Sequence, residues 1–183
     1  GVSGLVDVST GEALDGSSGS ISLRSGQSTS GAGGAVSVMV GEGDTGAGGE
    51  VRVEAGKTTD AAAGGLVTMT AGESTGSGSV GGAVSMTAGE GSSTSGGDGG
   101  AVVVTAGHSA GQSSSDYGGD VRVTGGSADT GVGGSVVVTS GQSEDTTSGA
   151  ISVSTADSGE LGVSGDIAML TGASLDGDSG DVS

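Results

Sequence analysis

The chain contains no cysteine and no proline, which removes disulfides, thiolate metal sites, cysteine nucleophiles, collagen-type triplets and PxxP segments together. Tryptophan and phenylalanine are also missing, and Tyr117 is the only aromatic residue. Four basic residues stand against 22 acidic ones, a net charge of −18, so no nucleic-acid partner is expected. No apolar run reaches the roughly 18 residues of a membrane helix, and no membrane insertion is expected. Gly1 is not preceded by Met or followed by a signal-peptide pattern, so the chain reads as a processed or excised piece whose targeting signal is not visible. Without asparagine there is no N-glycosylation site, while abundant Ser and Thr leave O-glycosylation open.

What the chain does have is glycine, 45 of 183 residues. Such a glycine-rich, acidic composition ordinarily means disorder, because the bulky side chains whose burial offsets chain entropy are missing. The order of residues along the chain argues against that. A unit of the form GGAVSVMVG, GGEVRVEAG, GGLVTMTAG, GGAVVVTAG recurs from end to end. Taking the glycine before each unit as position zero gives Gly4, Gly19, Gly34, Gly49, Gly65, Gly82, Gly100, Gly119, Gly134, Gly149, Gly165 and Gly180, in steps of 15 to 19 residues.

Position +2 is β-branched in all twelve units and includes Val36, Val51, Val67, Val84, Val102, Val121, Val136 and Ile151. Position +4 is aliphatic in all eleven units that reach it. Apolar residues at spacing two, flanked by glycine, predict short strands, since a helix needs spacings of three and four. A second glycine at +7, replaced only by Ala156, bounds each strand. The turn glycines Gly34, Gly49, Gly65, Gly82, Gly100, Gly119 and Gly134 are expected to reverse the chain. The polar returns carry further turn signals, such as Asp15-Gly16, Ser30-Gly31, Thr45-Gly46, Thr130-Gly131 and Asp176-Gly177.

These observations predict an all-β fold spanning residues 1–183: a single-domain parallel β-solenoid of about twelve coils, mostly 15 residues each. The coils starting at Gly65, Gly82 and Gly100 have longer loops. The Val and Ile column at +2 is its expected core, faced by small residues of the return such as Ala32, Ala47 and Ser143. Uncapped ends expose a strand edge, so end-to-end self-association is expected, within a longer array or between copies. Outward Val103, Val137, Leu66, Met39 and Leu170 raise lateral contact as a second route.

Candidate chemistry is sparse. Thr70, Thr87, Thr105, Thr124 and Thr139 form a ladder at +5 that resembles the face of ice-binding β-solenoids, although only one coil has the full T-x-T pair. Glu73 and Glu90 stand just past the second glycine of neighbouring units, and Asp176, Asp178 and Asp181 cluster near the end. Calcium is the cation such oxygen ligands would hold, but no EF-hand or GGxGxDxUx pattern is present; otherwise no cofactor is expected. A solvated acidic edge that keeps the chain soluble is the competing account. His108 lies in the longest return, near Ser109, Ser113 and Asp116, without a rigid scaffold for catalysis. No enzyme activity is expected. Arg24, Arg52, Lys57 and Arg122 offset carboxylates such as Glu54 and Asp120.

The G-G-x-V-x-V-x-x-G units with serine-rich returns resemble the repetitive arrays of large secreted surface proteins of microbes and algae, with no specific family singled out. That resemblance implies β-solenoid stalks, fibres or adhesins. The expected role is therefore a structural protein of an extracellular filament or surface appendage, built by coil-on-coil stacking. Its alternatives are an ice-binding protein and a calcium-dependent adhesin repeat region, with ice or surface glycans as the corresponding targets.

Overall fold

The computed structural model describes residues 2–183. Among them there is no helix and no strand, and nearly every residue is exposed. The accessible surface is 17745 Å². A compact protein of 16.5 kDa would expose about 7,600 Å². The predicted all-β parallel β-solenoid is therefore corrected: the chain is an extended coil without stacked strands.

The reason lies in what a period of two can specify. It decides which side chains share a side of an extended segment, but it does not bring a second backbone within the roughly 4.8 Å that a ladder needs. Here the backbone pairs only at isolated points. The described residues make nine backbone–backbone hydrogen bonds, whereas a packed domain carries about one internal hydrogen bond per residue. None of the nine is made by a residue between the two bounding glycines of a unit.

The expected core is corrected with the fold. Val36 and Val51 are 60% and 57% exposed, and Val67, Val84, Val102, Val121, Val136 and Ile151 stand in the same half-covered state. A trace of the register survives nonetheless. From Ile21 to Val182 the +2 side chains are 50–64% exposed, while Leu66, Val103, Val137, Met39 and Leu170 on the other side are 79–86% exposed. The +4 residues of that same side, such as Leu23 at 84% and Val38 at 77%, are nearly as exposed as the other side, so the partial cover is confined to +2.

The returns bend once each, and all five dipeptides named above lie at those bends. Among the described residues positive φ is confined to a few glycines of the returns, with φ +79° at Gly46 and +122° at Gly177, conformations that an L side chain rarely adopts. None of the position-zero glycines is among the residues with positive φ. Their need for glycine comes from close approach of the backbone rather than from φ. The backbone divides into two units, Gly1–Met86 and Thr87–Ser183. No helix among the described residues is long and apolar enough to cross a membrane.

Candidate functional site

The recurring structural feature is the junction where one unit hands over to the next. In the first unit of the backbone, the amide of Gly65 donates to the carbonyl of Gly56 and that of Gly82 to Gly72, both at 2.9 Å. In the second, Gly100 donates to Gly89, Gly119 to Gly107, Gly134 to Gly126 and Gly149 to Gly141, at 2.8–2.9 Å. Each bond joins position zero to the +7 glycine of the preceding unit and so ties off the return as a closed loop.

Closure demands close approach. A Cβ on Gly82 would meet the Gly72 nitrogen at 3.2 Å and the Ala71 Cβ at 3.4 Å. At the +7 glycines, by contrast, an added Cβ meets nothing within 4 Å at Gly56, Gly72, Gly89, Gly107, Gly126 or Gly141. The two glycines of the repeat are therefore unequal at these junctions: a Cβ would be crowded at Gly65, Gly82, Gly100, Gly119 and Gly134, where its nearest neighbour lies at 2.9–3.3 Å, but not at the +7 glycine.

The size of the residue at +6 tracks whether a junction closes, Ser25 excepted. The six closed junctions carry Ala55, Ala71, Ala88, Ala106, Gly125 and Ser140 there. Where Thr10, Val40, Thr155 or Thr171 stands at +6, the side chain itself lies against the next position-zero glycine and no closing amide bond forms. A β-branched residue holds the two backbones apart. At the first junction Thr10 substitutes a side-chain bond, its Oγ1 donating to the Gly19 carbonyl at 3.2 Å. Ser25 leaves its junction open, and nothing at Gly34 explains it. The signal was present in the sequence as a run of small residues before the second glycine.

Elsewhere the returns are organised by their own side chains. The Asp116 carboxylate accepts from the Ser113 amide at 3.0 Å while the Asp116 amide donates to the Ser113 carbonyl at 3.0 Å, so both residues are engaged in a turn of the return that carries His108. Ser143 Oγ accepts from the Thr146 amide at 3.0 Å. Arg52 Nε donates to Glu54 Oε2 at 2.9 Å, and Arg122 Nη2 lies 3.8 Å from Asp120 Oδ2. Both pairs are i,i+2 neighbours on one side of an extended segment, and both are exposed.

The other sequence candidates are dispersed. Thr70, Thr87, Thr105, Thr124 and Thr139 are exposed, on segments not joined into a sheet. Glu73, Glu90, Asp176, Asp178 and Asp181 are exposed, and among the described residues no three acidic or histidine side chains converge on one point. The second unit holds an open cavity of about 1070 Å³, where Val123 and Val136 line one part and Met169, Leu170, Asp181 and Val182 another. Its wall joins equivalent positions three repeats apart, +4 with +4 and +2 with +2.

Compared with known proteins, the chain matches no family model, no curated protein and no solved structure.

Proposed function

We propose that the chain is a structural, non-enzymatic segment of an extracellular filament or surface appendage, and that its work is mechanical. The observation that carries this reading is the junction: one geometry, a position-zero glycine against the preceding +6 residue, recurs along the chain. Recurrence of that kind spends the sequence on a periodic backbone. The extracellular setting comes from the resemblance of the repeat units to secreted surface arrays.

Each closed junction fastens a return by one exposed amide bond, worth at most about 1 kcal/mol. Tension would open it and release the loop between Gly56 and Gly65, roughly 30 Å of contour at about 3.4 Å per residue. The bond re-forms when tension falls. Acidic returns keep such a segment hydrated and discourage collapse.

The test is immunogold electron microscopy of source cells and their secreted material with antibodies raised against residues 1–183. Label along filaments or appendages is the expected result. Label confined to the cell interior sinks the reading.

A further inference from the structure

The charge of this chain is not spread evenly. Sixteen of the 22 acidic residues lie in the returns, outside the glycine-bounded segments. Six segments, 34–41, 65–72, 82–89, 100–107, 134–141 and 149–156, carry no charge at all. They are rich in β-branched and aliphatic residues and free of proline, the composition of chains that pair edge to edge and interdigitate their side chains. In the structure their large apolar side chains are exposed, and inside 101–106 and 135–140 no backbone group makes a hydrogen bond to another. An extended segment with free N–H and C=O groups and an apolar side is a template for one more strand.

From this we infer that the neutral segments, among them 100–107 and 134–141 with their runs of three consecutive valines, are docking strips for a second copy of this chain. The inference deepens the structural reading above and rests on it for its biological setting. Two observations select the occupant. The chain exposes roughly 10,000 Å² more than a compact protein of its mass, over ten times the roughly 800 Å² that each partner contributes to a stable interface. And the partner strip must be neutral, seven or eight residues long and apolar at spacing two, which a second copy supplies several times over. A basic partner would instead be drawn to the acidic returns.

The two modes separate by their response to salt. Copies of a −18 chain repel through their returns, so screening strengthens association between them. Sedimentation velocity over a concentration series tests this at about 0.1 M and about 1 M NaCl, between which the Debye length falls from about 10 to about 3 Å. Wild type, the double variant Val102→Lys/Val136→Lys and the loop control Ser114→Lys are compared. Val102 and Val136 are more than half exposed, so the substitutions create no buried charge in the single chain, and its far-UV circular dichroism serves as the check. The expected result is association of wild type and control that strengthens with salt, and a loss of at least about tenfold in the double variant, whose charges must be desolvated on contact. Wild type that stays monomeric in both salts, or a double variant that associates as wild type does, overturns the inference. Appendage labelling by antibody without self-association leaves the structural role standing and removes only the docking strips; self-association without such labelling does the reverse.

Discussion

The amide of Gly65 donates to the carbonyl of Gly56 at 2.9 Å, and a Cβ placed on Gly65 would lie 3.1 Å from the Ala55 Cβ and 2.9 Å from the Gly56 nitrogen. The same approach that makes the bond excludes a side chain. Gly65→Val should therefore open the 56–65 loop, whereas Gly56→Ala should be silent because its Cβ meets open space. Hydrogen exchange at the residue-65 amide reads the difference. An increase of up to about fivefold in the first variant matches a lost bond of about 1 kcal/mol, and equal protection in both would refute the steric account.

The +6 residue offers the reciprocal experiment. Val40 stands against Gly49 and its junction lacks the closing bond, while Ala71 permits the bond from Gly82 to Gly72. Val40→Ala should bring residues 41 and 49 into bonding range, and Ala71→Val should separate 72 from 82. Amide temperature coefficients at Gly49 and Gly82 are the readout, expected to move in opposite directions.

Cooperative unfolding requires a core whose contacts are lost together, and this chain buries no hydrophobic side chain among the described residues. Heating or urea should change its far-UV circular dichroism gradually at low concentration. A sigmoidal melt of dilute, monomeric protein, or a strand-type spectrum under those conditions, contradicts the fold described above.

A charge at the expected core is a sharper probe of the same point. In stacked coils Val102→Asp would break the array and admit proteases near residue 102. With Val102 57% exposed, cleavage there should match wild type in dilute solution. Faster cutting in the variant would restore an inward-facing valine.

Calcium gives a fifth contrast. Glu73 and Glu90 are not part of any group of three ligating side chains, so calcium should bind only as a diffuse counterion. Isothermal titration is expected to show weak, unsaturable heats that Glu73→Gln/Glu90→Gln barely alters. A saturable site lost in that variant would reinstate a shared cation.

Parts of this arrangement were legible beforehand. Bends fall at Asp15-Gly16, Thr45-Gly46 and Asp176-Gly177, because such pairs favour turns through their local backbone preferences. Arg52 and Arg122 find Glu54 and Asp120, since residues two apart on an extended chain share a side. The junction itself was visible only as glycine at position zero. Reversal of the chain through positive φ was the expected reason, but close approach to Ala55 and its equivalents is the observed one. The stacked fold was not legible: Val36 and Val51 share a side, yet no neighbouring backbone arrives to cover it.

Local properties of this protein were determined by its sequence alone: the period, the two sides of each segment, the positions of the bends, and the placing of acid in the returns. Those follow from backbone preference and side-chain alternation over a few residues, which act without any distant partner. The tertiary structure decided which glycines are sterically required, which junctions close, and that the valine columns stay wet. Such outcomes depend on whether remote segments come within a few ångströms of one another, and no periodicity along a single chain can supply that distance.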